Sequence, residues 1–121
     1  MEKEARLFLS KATNKDNTIS LDLADIKECL KGNIRYFGCA TFEGDTKDAE
    51  EMVKDLLIAA DITIHPKIGG ALLYMEIPEH TSLQKVIEIV GHVNEQLCCN
   101  ARFAIGKSAS SEVKIHLVAY D

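Results

Sequence analysis

The sequence lacks any apolar run approaching the ~20 residues of a membrane-spanning helix. It also lacks positive surplus: 14 Lys and Arg stand against 19 Asp and Glu, a net charge of −5 at pH 7. A nucleic-acid binder needs a basic face, and a membrane-surface helix needs Lys and Arg on its polar side. The balance therefore argues for no nucleic-acid partner and no direct membrane contact. The start, Met1-Glu-Lys-Glu-Ala-Arg6, has no apolar core of a signal peptide. No internal repeat and no low-complexity tract is present.

Two chemical signatures are missing as well. No glycine-rich loop is available to cradle phosphates with backbone N–H groups, and Gly69-Gly70 reads as a tight turn before a strand. No G-x-S-x-G elbow appears, which leaves a hydrolase of that type unsupported. The expectation is that the chain alone binds no cofactor and no metal. Of the four cysteines, Cys29, Cys39, Cys98 and Cys99, none forms C-x-x-C, and the histidines lie far from any cysteine pair at zinc spacing. They read as reduced thiols in a cytoplasmic protein, acting as small hydrophobes. His92 falls off the apolar stripe of its helix, and His116 on the exposed face of the last strand.

What is present is one domain's worth of chain, 121 residues, with alternating helix and strand patterns. Residues 1–17 carry one short apolar patch, Leu7-Phe8-Leu9, and then turn polar, as a leader or linker that packs weakly; residues 18–121 read as the domain. A leading helix places Leu23, Ile26, Cys29 and Leu30 on one face. Asp22 and Asp25 sit at its start, Lys27 and Lys31 toward its end and Gly32 just past it. Residues 33–42 predict a strand mostly buried on both faces. Ala49, Met52, Val53, Leu56, Leu57 and Ala60 form the best helical stripe in the chain.

A strand over 71–77 ends at Pro78. Thr81 to Gln84 reads as a capping box, and the helix it opens has the stripe Leu83, Val86, Ile87, Val90, Val93 and Leu97. Strands at 101–106 and 112–120 follow, the last one half-exposed, and the short loop between them favours an antiparallel hairpin. The fold class predicted is α/β, an α+β two-layer arrangement. It is a mixed four-stranded sheet with two helices on one face plus the leading helix.

The constellation with chemical promise is Ser20-Leu21-Asp22-Leu23-Ala24-Asp25. Two carboxylates three residues apart share a helix face. They could hold a cation or polarise a water against a phosphate held by another group. They could equally cap the helix and complement its dipole. The acidic set Glu43, Asp45, Asp48, Glu50 and Glu51 reads as a solvated face matched to the next helix's dipole.

The order of these segments resembles FtsZ, the tubulin relative of bacteria and archaea. Ser20-Leu-Asp-Leu-Ala-Asp-Ile26 is similar to that family's Asn-x-Asp-Phe-Ala-Asp-Val loop and helix start. Tyr36-Phe-Gly-Cys-Ala40, Glu43-Gly44 and the helix ending in Leu56-Leu57 follow its next segment. Ile68 to Ile77, Leu83 to Leu97, Ala101 to Gly106 and Glu112 to Ala119 resemble its subsequent strand, helix and closing strands. The likeness runs from about Ile19 to Ala119, in order and without large gaps.

The resemblance implies a C-terminal, activation-type domain of an FtsZ/tubulin-like protein of cell division, whose GTP site lies in a separate domain. In such filaments this domain's loop completes the GTP site of the neighbouring subunit. Carried over by position, Asp22 and Asp25 are the catalytic carboxylates in trans, and Ser20, Leu21 and Leu23 the interface loop. The partner implied is an FtsZ-like GTP-binding domain or a second copy, with GTP held there. The family's Asn is Ser20 here and its Phe is Leu23, and the last loop lacks the usual acidic run. With no GTP-binding loop and no tail after Asp121, the chain is expected to be an excised or diverged stand-alone domain. It is expected to be no enzyme by itself. A different reading is a chorismate-mutase-like trimer with a small ligand between subunits. Its cationic residues would be Arg35 and Arg102. A plain protein-interaction module is a third.

Overall fold

The computed structural model describes residues 10–12, 34–43, 47–62, 68–79 and 81–120. The elements in order are β1 (Ile34–Glu43), α1 (Ala49–Ala59), β2 (Gly70–Ile77), α2 (Leu83–Leu97), β3 (Ala101–Lys107) and β4 (Glu112–Tyr120). The strands form one mixed sheet in the order β1-β4-β2-β3. β4 is antiparallel to both β1 and β2, while β2 and β3 are parallel and joined through α2. No helix among the described residues is long and apolar enough to cross a membrane. The predicted leading helix over residues 22–31 lies outside the described residues.

Both helices have side-chain caps at their starts. Asp48 caps α1, its Oδ1 accepting the Glu51 N–H at 2.9 Å, and Glu50 and Glu51 occupy the first turn where the dipole favours acid. Glu50 also pairs with Lys54 one turn on, at 3.7 Å. The C-terminus closes with the Ile62 N–H on the Leu57 carbonyl at 2.9 Å and Asp61 in the left-handed region, φ 62°. The cap of α2 is Ser82, not Thr81: the Ser82 hydroxyl accepts the Lys85 N–H at 3.3 Å.

The main core lies between the helices and one face of the sheet. From α1 come Met52, Val53 and Leu56, and from α2 Val86, Ile89, Val93 and Leu97. The sheet supplies Leu73, Met75, Val113, Ile115 and Leu117. The α1 stripe matches its sequence pattern. The α2 stripe differs: Leu83 and Ile87 are 64% and 55% exposed, and Ile89 is buried instead. The apolar positions of α2 outnumber those one face can bury, and the crossing with α1 and β3 selects the row 86, 89, 93, 97.

Three sheet expectations are corrected. β1 is an edge strand with most of its residues partly or fully exposed, so it is not buried on both faces. β3 and β4 do not pair as a hairpin. They lie on either side of β2, and the loop 108–111 passes its end, where the Ser108 N–H donates to the Ile77 carbonyl at 3.0 Å. β4 is central, and Leu117 to Tyr120 are all buried. A central strand has both faces covered and both backbone edges paired, which suits this apolar run better than a half-exposed position.

Two glycines sit where the backbone meets a neighbour. A Cβ on Gly38 would lie 2.7 Å from backbone atoms of Ala60, where β1 passes the end of α1. A Cβ on Gly70 would lie 2.6 Å from the Tyr120 hydroxyl, and the adjacent Gly69 N–H donates to the Tyr120 carbonyl at 2.8 Å. The Gly69-Gly70 pair thus serves close approach to β4.

The opposite face of the sheet carries a second, smaller apolar cluster: Leu72, Tyr74, Ala104, Val118 and Tyr120, with Ile34 and Phe37 beside it. Ala12 is fully buried there, on a helical stretch described at residues 10–12. Within the segment expected to pack weakly, this residue packs fully.

Candidate functional site

Ser20, Leu21, Asp22, Leu23 and Asp25 all lie outside the described residues, so the acidic loop rests on its sequence. The structure does place the other candidates. Arg35 stands on β1 and Arg102 on β3, the two outer strands, which are separated by β4 and β2. Three strand spacings amount to roughly 14 Å. The sheet therefore does not bring both arginines together within one copy. Glu50 and Glu51 complement the dipole of α1, as their sequence positions predict, and Asp48 caps it. No group of three or more metal-ligating side chains occurs among the described residues.

The sheet face opposite the helices brings together residues that are far apart in sequence. Strand register aligns Cys39 of β1 with His116 of β4, and His116 with Tyr74 of β2. The next row aligns Thr41, Lys114 and Glu76. The Tyr74 and His116 rings lie 5.7 Å apart, tilted by 30°. His116 is half-buried, which corrects its expected place on an exposed face.

The electrostatics of this seam follow from burial. Burial pushes His116 down, and the positive charges of Lys11 and Lys114 act in the same direction while Glu76 opposes them. Cys39 is exposed, not the buried small hydrophobe its sequence suggests, because it stands on the edge strand; partial desolvation by its neighbours raises the thiol, with Lys114 and Lys11 opposing and Glu76 reinforcing. Burial and then Glu76 raise the Tyr74 phenol. A neutral imidazole beside a protonated thiol is not the thiolate–imidazolium pair that nucleophilic catalysis uses. Lys11 acts on both Cys39 and His116, so the stretch at residues 10–12 lies close to the seam.

Sequence reasoning missed this seam. Its members come from three strands, and their meeting depends on β4 lying between β1 and β2. The alternation of Lys114 and His116 with buried neighbours was visible. The nearness of Lys11 to His116 was not.

At the other end of the fold, a shallow depression at the C-terminus of α2 is lined by Asn94, Glu95, Cys98, Cys99 and Asn100. Asn94 organises it: its carbonyl accepts the Cys98 N–H and, at 3.3 Å, the Cys99 N–H, and its side-chain oxygen accepts the Ala101 N–H at 2.7 Å.

No family model matches the chain, and no curated protein matches it. Solved structures do. An FtsZ mutant from M. jannaschii superposes with a TM-score of 0.78 at 22% identity, covering 98% of this chain and 37% of that one. TubZ from Bacillus thuringiensis serovar israelensis, in GDP-form protofilaments, gives a TM-score of 0.64 at 11% identity, covering 89% and 32%. CetZ2 from Haloferax volcanii, in a GTPγS-bound protofilament, gives 0.61 at 14%, covering 82% and 33%. The chain spans about a third of the length of the structures it matches. Its fold is that of the FtsZ/tubulin C-terminal domain.

Proposed function

We propose that this chain acts as an activation-type domain of an FtsZ/tubulin-like assembly. It docks on an FtsZ-like GTP-binding domain or on a second copy, and presents Asp22 and Asp25 to GTP held by that neighbour. The observation that carries this reading is the asymmetry of the structural match: almost all of this chain aligns, with only about a third of FtsZ. The motif Ser20-Leu-Asp-Leu-Ala-Asp25 resembles the family's acidic loop in sequence, which supports the reading.

The chemistry is general-base and electrostatic. One carboxylate orients the attacking water and the other holds a cation or a second water near the γ-phosphate. Ser20, Leu21 and Leu23 form the loop that meets the neighbour. The partner supplies the nucleotide, and cell-division filaments are the setting the resemblance implies.

The test is GTP turnover by an FtsZ-type GTP-binding subunit whose own acidic loop has been disabled. Added chain is expected to raise turnover. The double change Asp22→Ala and Asp25→Ala is expected to cut that stimulation by about 10²-fold or more, the usual weight of a positioned acid or base. No stimulation, or equal stimulation by the double variant, removes the role of the carboxylates. Appreciable hydrolysis by this chain alone removes the claim that the nucleotide belongs to the partner.

A further inference from the structure

The adjacent thiols Cys98 and Cys99 stand where α2 turns into β3, and the proposed GTP chemistry makes no use of them. Both are free. Cys98 is exposed and sits in the left-handed region, φ 52° and ψ 43°, as the cap of α2, and its thiol donates weakly to the Glu95 carbonyl at 3.8 Å. A side chain in that conformation costs about 1–2 kcal/mol relative to ordinary helical backbone. Cys99 is half-buried against the main core. The depression around the pair is open to a small reagent.

We propose that Cys98 and Cys99 form a redox modification site for small-molecule disulfides, and that closing the bond between them loosens the turn from α2 into β3. Cys98, the accessible thiol, meets the reagent first. Its thiolate attacks one sulfur of the small disulfide. The reagent's S–S bond breaks, a mixed disulfide forms on Cys98, and the first small thiolate leaves and takes up a proton. Cys99 then gives its proton to solvent and attacks the Cys98 Sγ. The mixed disulfide breaks and the second small thiol leaves. Two protein thiols are oxidised by two electrons in total, and one reagent disulfide is reduced to two thiols.

Burial, and secondarily Cys98, push the Cys99 thiol up, which agrees with Cys98 being the thiol that meets the reagent first. Geometry makes the product labile. Neighbouring Cα atoms are ~3.8 Å apart across one trans peptide, whereas ordinary disulfides span about 4.4–6.8 Å. Such a strained bond is readily reduced, the property of a regulatory disulfide rather than a structural one. Closing the ring also redirects the two peptide units whose N–H groups converge on Asn94, and Asn94 holds the first N–H of β3.

The test uses the full chain with Cys29→Ser and Cys39→Ser, treated with hydroxyethyl disulfide under native conditions and followed by intact mass and peptide mapping. The expected product has lost two hydrogens, located at residues 98–99. Adding Cys99→Ser is expected to trap the mixed disulfide on Cys98. Accumulation of the mixed disulfide alone in the chain that retains both thiols overturns the site. Hydrogen exchange at the Ala101 amide reads the coupling. Oxidation is expected to speed it roughly fivefold, the weight of one hydrogen bond. The trapped mixed disulfide should leave it unchanged. Equal Ala101 exchange in the oxidised and reduced chains overturns the link to the turn.

Discussion

One face of the sheet meets two amphipathic helices, and the other meets a mixture of apolar and titratable side chains. The helix face is closed by Leu73, Met75, Ile115 and Leu117 against Met52, Leu56, Ile89 and Val93, all at most 1% exposed. The opposite face has Leu72, Tyr74, Val118 and Tyr120 toward one end, and Cys39, Thr41, Lys114 and Glu76 toward the other. The difference shows where stability is concentrated among the described residues. A face closed by the domain's own helices is committed to packing.

The comparison breaks most visibly at the helix face. Leu73→Ala leaves a cavity in the main core and is expected to cost about 2–5 kcal/mol in denaturant unfolding. Thr41→Ala on the opposite face should stay within about 0.5 kcal/mol. Comparable losses at the two positions would mean that the faces are equally committed.

Gly38→Ala tests the contact between the edge strand and the end of α1. Because its Cβ would meet backbone rather than a movable side chain, the expected loss is about 1–3 kcal/mol. The same substitution at Gly91, with open space around its Cβ on α2, reverses sign. It is expected to stabilise by about 0.8–1.0 kcal/mol through helix propensity, read as a rise in Tm. A loss at Gly91 would show that something covers that side of α2.

The smallest effect belongs to the seam, and it is a slope rather than a step. His116 has its folded-state affinity for protons lowered by burial, so the unfolded chain binds the proton more readily. Its stabilising contribution is present above the ordinary histidine range near ~6.5 and is lost as pH falls below it toward the lowered folded value. Tm measured from pH 8 to pH 5 should fall less steeply in His116→Gln than in the parent. An unchanged slope would place His116 in solvent and end the contrast between buried and exposed residues on β4.

Much of the helix face was legible in the sequence. The α1 row from Ala49 to Ala60 has one clean apolar stripe and an Asp cap, and both are local properties. α2 was legible as a helix but not in rotation. Leu83, Ile87 and Ile89 are equally apolar, and only the crossing with its neighbours decides which is buried. The acidic loop lies outside the described residues, and Asp22 and Asp25 stand on likeness to a known motif alone. The Cys39–His116–Tyr74 seam was not legible, because it is a product of register between strands that are distant in sequence.

The sequence by itself determined the four strands and the two helices of the main core. Their periods are written within a few residues of each element. Tertiary structure alone decided that β4 lies between β1 and β2, that β3 leaves its expected hairpin, and that the last apolar run is central. A short loop fixes only that two strands are close in sequence. Strand order is settled by which strand must be covered on both faces and paired on both edges. The run Leu117-Val118-Ala119-Tyr120 meets that demand, whereas the partly exposed β1 remains at the edge.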